Sequence, residues 1–125
     1  MISASLVQMD VQSLAPAENF RRIHDFVAGE AAKGAQLILF PELANTGYVE
    51  PLVPGGPLVS DVPHFGAALY EACAAPDGEE IRALVALAAR HRVHLVIGLG
   101  LRDRLRAGVM RNASLLIGPE GVIGD

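Results

Sequence analysis

The run Leu37-Ile38-Leu39-Phe40, followed at once by Pro41 and Glu42, most narrows what this chain can become. It has no polar residue to turn toward solvent, so it reads as a strand buried on both faces, within a sheet covered by other layers. Pro41 lacks a backbone N–H and ends the ladder, which puts Glu42 at the strand's carboxyl end. In α/β sheets, ligands and catalytic groups gather at that rim. An acid there, half-sheltered by Phe40 and Leu43, is expected to have its ionised form disfavoured and its pKa raised toward the range of a general base. Judged by residue type alone, a strand-end carboxylate that caps a loop or pairs with an arginine is the commoner reading.

The rest of the chain is consistent with one ordinary α/β unit. It has 125 residues, the size of one ordinary domain and long enough for a substantial core, and 51% of them are hydrophobic. With no Trp, two Tyr and four Phe, that core must be aliphatic and rich in Ala. A net charge of −4 argues against nucleic acid or an anionic membrane as the main partner. Cys73, the single cysteine, has no partner for an internal disulfide, which suits a reducing compartment. The segment Met1 to Val7 lacks the pattern of a secretory signal, and no apolar run approaches the roughly 20 residues that span a bilayer. The expectation is a soluble, cytoplasmic polypeptide.

Punctuation by Pro and Gly sets the order of elements. Ile2 to Met9 reads as a first strand. Pro16 suits the first turn of a helix, along which Phe20, Ile23, Val27 and Ala31 recur on one face, and Lys33-Gly34 is a normal stop. With the strand Leu37 to Phe40 this makes strand, helix, strand, the unit of parallel pairing. Tyr48 to His64 holds four prolines and Gly55-Gly56, so it reads as a long loop whose glycines are candidates for a pocket rim. Phe65, Leu69 and Cys73 suggest a short helix, broken by Pro76-Asp77-Gly78. Asp77 and Glu80 resemble a capping box for a helix to about His91, with Ile81, Leu84, Val85 and Ala88 buried. Val93 to Leu101 and Val109 to Ile117 are strands joined as a hairpin, Pro119 to Gly121 turns the chain, and Val122-Ile123 begins another strand.

Several motifs fall along this order. Phe40-Pro41-Glu42-Leu43 is followed by Thr46-Gly47-Tyr48 and preceded by Gly34-Ala35. Gln8, Asn19, Leu87-Ala88, Gly98, Asn112-Ala113-Ser114 and Pro119-Glu120-Gly121 complete the series. Together they resemble the nitrilase, or carbon–nitrogen hydrolase, superfamily. The resemblance implies a four-layer αββα sandwich and a Glu-Lys-Cys triad, with Glu42 as general base. It implies hydrolysis of a non-peptide amide or nitrile to a carboxylic acid with release of ammonia or an amine. It also implies a small-molecule substrate, no metal or organic cofactor, and a homo-oligomer.

One departure is decisive for that reading. In relatives the lysine lies soon after the turn equivalent to Pro119 to Gly121, and the cysteine further on. This sequence ends at Asp125, before both. Residues 1–125 are therefore expected to be the amino-terminal portion of a single hydrolase domain, ending in mid-fold, inactive alone and leaving an apolar sheet face uncovered. A non-catalytic relative serving as a subunit or interaction module is the competing reading, and a small nucleotide-binding domain is a third.

The remaining candidates are weaker. Tyr48 either touches substrate at the pocket mouth or packs in the loop. Cys73 reads as a small buried hydrophobe. His91 and His94 have a metal-like spacing but straddle a helix end and a strand start, so a metal site is not expected. Gly98-Leu99-Gly100 lacks the third glycine and helix of a dinucleotide fingerprint. The arginines at 102, 104, 106 and 111 read as a solvated turn, with an oligomer contact as the minority reading. Asn112 to Ser114 forms a glycosylation sequon with no secretion signal to give it meaning.

Overall fold

A computed structural model describes residues 1–48 and 61–125, so the expectation for Gly55 and Gly56 lies outside the described residues. The elements are β1 (Ala4–Leu6), α1 (Pro16–Ala32), β2 (Leu37–Leu39), α2 (Phe65–Ala72), α3 (Glu79–His91), β3 (His94–Arg102), β4 (Met110–Gly118) and β5 (Gly121–Gly124). The five strands form one sheet in the order β1-β2-β3-β4-β5. β1, β2 and β3 run parallel, and β4 and β5 are added antiparallel as hairpins.

Pro16 opens α1 as anticipated, since it needs no N–H partner in the first turn. Gly34 follows the helix at φ +92°, a left-handed conformation that costs glycine least. For α3 the capping-box expectation fails. The Pro76-Asp77-Gly78 turn closes through a bond from the Gly78 N–H to the Ala75 carbonyl. That makes Gly78 the N-cap, with no side-chain cap, and leaves Asp77 outside the helix. The buried face of α3 is Ile81, Leu84, Leu87 and Ala88, so Leu87 takes the place expected for Val85, which is only partly buried.

Register shows which face each strand residue serves. Ser5, Ile38 and Leu95 are aligned across β1, β2 and β3, and the Ser5 hydroxyl donates to Glu30 of α1 at 2.8 Å. That row therefore looks toward the helices. Along β3 the same parity carries Leu95, Ile97, Leu99 and Leu101, all essentially inaccessible, which join Ile23, Val27, Ile81, Leu84 and Leu87 in one core. At about 25 cal/mol per Å² of apolar area, burial of this kind is the main term holding helices to sheet.

The opposite face is different, and here the expectation of a two-sided burial for β2 needs correction. Ile38 is buried, but Leu37 and Leu39 are only half-buried. Neither α1 nor α3 covers that side, where Leu6 is 79% exposed and Ile123 is 60% exposed. Among the described residues, no helix is long and apolar enough to cross a membrane.

The edge of β3 is occupied in turn by three pieces of chain. β2 pairs with His94 to Val96, after which the Phe40 N–H donates to the Val96 carbonyl at 2.8 Å. The Ala44 N–H then donates to the Gly98 carbonyl at 2.9 Å, and the Ala74 N–H to the Gly100 carbonyl at 3.0 Å. Residues 40–45 thus carry on where β2 stops.

Candidate active site

Segment 40–48 is held on three sides. Asn45 is fully buried, and its amide pairs with the backbone of Gly100 like a second peptide group. The Gly100 N–H donates to Asn45 Oδ1 at 2.8 Å, and Asn45 Nδ2 donates back to the Gly100 carbonyl at 2.9 Å. A further bond runs from Asn45 Nδ2 to the Ala72 carbonyl at 3.3 Å. Behind it, buried Asn19 of α1 donates to the Asn45 carbonyl at 2.9 Å and brackets Gln12 through both its N–H and its carbonyl. Among the described residues, no buried side-chain nitrogen or oxygen lacks a partner. A fully satisfied network of this kind fixes one conformation, whereas a half-satisfied one would destabilise it.

The backbone is also strained beside the carboxylate. Leu43 sits at φ 48°, a left-handed conformation that costs a non-glycine residue on the order of 1 kcal/mol. The bonds from Phe40 and Ala44 to β3, with Gly47 N–H to Leu43 carbonyl at 2.8 Å, hold it there. Gly47, at φ +67°, lies so close to Ser13 and Gln12 that a Cβ would come within 3.0 Å of the Ser13 backbone. The site loop is therefore clamped between the first turn of the chain and β3.

Glu42 projects from this clamp on the face opposite α1 and α3. The Tyr48 hydroxyl donates to Oε1, and Asn112 Nδ2 of β4 donates to Oε2 at 2.9 Å. These two bonds, Tyr48 first, hold the Glu42 carboxyl below its usual range, and partial desolvation opposes them weakly. The expected upward shift is thus reversed. Glu42 is exposed, and its dominant neighbours are donors that favour the charged form. The partner group responds in kind: donation to Glu42 and loss of hydration push the Tyr48 phenol up to about 12.

The other candidates fall elsewhere. Lys33, the one lysine of the chain, closes α1 and pairs with Glu30 at 2.7 Å on the helix side of the sheet. Cys73 is buried against the Gly100 backbone, and burial pushes its thiol up, the opposite of what a nucleophile needs. Arg102 is half-buried, lies 4.9 Å over the Tyr70 ring and donates to the Tyr70 and Glu71 carbonyls, so it is a strut for α2 rather than part of a solvated turn. Arg104, Arg106 and Arg111 are exposed, as the turn reading anticipated. Arg92, left-handed at φ 55°, separates His91 from His94. The concavities beside the Pro119 to Gly121 turn and between Phe20 and Leu87 include neither Glu42 nor Tyr48.

Sequence reasoning placed Glu42 and Tyr48 in one segment but missed the work of Asn45 and Asn112. One signal was available for the supporting network. Asn19 falls at i, i+4, i+8 with Ile23 and Val27, a polar residue on an apolar stripe that demands a buried partner.

A family model for carbon–nitrogen hydrolases matches residues 3–125. A nitrilase from Pyrococcus abyssi is 29% identical over 127 aligned residues, covering 99% of this chain and 42% of that protein. An amidase from Nesterenkonia sp. has the same fold over this stretch, with a TM-score of 0.66 at 23% identity, covering 98% of this chain and 41% of its own. A variant of the Nesterenkonia sp. AN1 amidase is similar to the same extent, with a TM-score of 0.66 at 22% identity over 98% of this chain and 41% of its own. It carries the acetamide moiety of fluoroacetamide covalently added at its active-site cysteine. This chain therefore spans about two-fifths of the length of these relatives.

Proposed function

The chain belongs to the carbon–nitrogen hydrolase family, and from that premise we propose that Glu42 is the general base of an enzyme that hydrolyses a small amide or nitrile. The products are a carboxylic acid and ammonia or an amine. Residues 1–125 contribute the amino-terminal portion of one such domain, within a four-layer αββα arrangement that assembles as a homo-oligomer. The observation that carries the reading is the Glu42 carboxylate itself. It stands at the end of β2, on the face opposite α1 and α3, held ionised and oriented by two neutral donors.

That geometry suits a base acting on a thiol. A cysteine supplied from outside these 125 residues loses its proton to Glu42 and attacks the amide carbon. A lysine, also from outside, holds the developing oxyanion. As the tetrahedral intermediate collapses, the C–N bond breaks and Glu42 returns the proton to the departing nitrogen. Glu42 then takes a proton from water, whose oxygen attacks the thioester, and as the C–S bond breaks it gives that proton to the departing thiolate, which releases acid and free thiol. Lys33 and Cys73 do not supply these roles, for one is on the far side of the sheet and the other is packed away. The cysteine adduct in the Nesterenkonia amidase variant supports thiol chemistry in a relative of the same fold.

The test is ammonia release by the full-length gene product from a panel of aliphatic amides and nitriles. Glu42→Gln, which keeps the shape but not the basicity, should lower kcat by about 100-fold or more. The 125-residue chain alone should release none. An inert full-length protein with an intact fold would favour a non-catalytic subunit, and full activity in Glu42→Gln would remove Glu42 from the mechanism.

A further inference from the structure

We propose that Asn112 is a positioning residue for Glu42, fixing the plane of its carboxylate from the neighbouring strand so that one oxygen stays aimed at the proton it must take. The proposal rests on the reading of Glu42 as the base.

Asn112 lies opposite Gly100 in the β3–β4 ladder, and directly opposed residues on antiparallel strands share a face. Gly98 and Gly100 carry no side chains, so β3 raises nothing between Asn112 and the segment lying above it. The amide crosses that gap and meets Glu42 Oε2 at 2.9 Å, joining residues 70 positions apart in sequence. Only the nitrogen end of the amide suits this contact, since its oxygen would face a carboxylate with no donor between them.

A carboxylate with one bonded oxygen still swings about its last torsion, which is broad. Tyr48 holds Oε1 from within the loop, and Asn112 holds Oε2 from β4, so the group is tied at both ends to different parts of the fold. A carboxylate offers about four lone-pair positions, so two remain free to receive protons. The choice of a neutral donor matters too. An arginine or lysine there would form a charge-assisted bond and drain more basicity from the carboxylate. Among the described residues the groups facing Glu42 are Tyr48 from its own loop, the Gly98 backbone from β3 and Asn112 from β4, and no charged side chain contributes to its shift.

The experiment compares Asn112→Ala and Asn112→Asp with the parent in the full-length gene product. Asn112 is exposed in this chain, and melting by circular dichroism checks that each variant folds. Both should lose about tenfold or more in kcat, because the carboxylate is no longer aimed. Both should move the acidic limb of kcat/KM to higher pH, Asn112→Asp further because it adds a like charge. Folded variants whose kcat stays within about twofold of the parent would overturn the proposal. So would a fall in kcat with the acidic limb unmoved, since that is the mark of general structural damage. Glu42→Gln, assayed alongside, separates the two levels. If it retains parental turnover, the base assignment itself fails, whereas an inactive Glu42→Gln beside unperturbed Asn112 variants removes only the positioning role.

Discussion

Gly98 has no side chain where Glu42 lies: a Cβ at that position would come 2.3 Å from the Glu42 Cα. The backbone that carries Glu42 rests directly on the backbone of β3. Gly98→Ala must push segment 40–46 outward, because the opposing atom is main chain and cannot rotate away. Displacement near 1 Å commonly costs about 100-fold in rate. The variant should show that loss in kcat together with a stability loss of about 1–3 kcal/mol, read from urea unfolding of the full-length protein.

Asn45→Ala should cost stability more than its small volume suggests. It leaves the Gly100 N–H without its acceptor and the Asn45 position without bonds to Gly100 and Ala72. An orphaned buried donor costs about 1–3 kcal/mol. Asn45→Asp should be as harmful, because a carboxylate would face the Gly100 and Ala72 carbonyls. Thermal melts of both variants check this, and a change below about 0.5 kcal/mol, the ordinary effect of a surface substitution, would contradict it.

Acid should act on the site through Glu42. Its native pKa is depressed, with the Tyr48 bond as the largest cause. The native state therefore holds fewer protons at Glu42 than the unfolded chain does in the window just below the ordinary carboxylate pKa. The associated stabilisation is complete above that window and is lost as pH falls through the native value. Tyr48→Phe removes the donor, so the acidic limb of kcat/KM should move up in pH, while the parental limb lies below the normal glutamate range. A limb that stays in place in Tyr48→Phe would show that the phenol does not set it.

Cys73 should be chemically silent in the folded protein. It is 4% exposed, and burial raises its thiol pKa. Alkylation with iodoacetamide at mildly alkaline pH, followed by peptide mass mapping, should label position 73 in urea and not in buffer. Rapid native labelling would mean that the packing of Cys73 against Gly100 opens readily.

Much of this arrangement was legible in the chain. Pro16, Gly34 and the apolar spacing of Ile23 and Val27 announce α1, and the apolar run before Pro41 announces a strand with an acid at its end. Those signals are local, and local chemistry decides them. The direction of the Glu42 shift was not legible, because one of its two donors comes from 70 residues away and no spacing rule links them. The capping box was misread for a related reason. Asp77 has the right offset from Glu80, but the turn at Gly78 claims the cap first. A continuous run of Leu and Ile likewise does not reveal that only Ile38 is fully enclosed, since that depends on what lies over the other face.

The alternation along β3 makes one strand answer to two sets of demands. Leu95, Ile97, Leu99 and Leu101 must be large, because they fill the core under α1 and α3, while Gly98 and Gly100 must be bare, because Glu42, Thr46 and Cys73 rest on them. A saturation scan of these positions should therefore read as a comb, with teeth that reject small residues and gaps that reject every side chain. Variation that retunes the site has little room on this strand, and would have to enter through the elements around it.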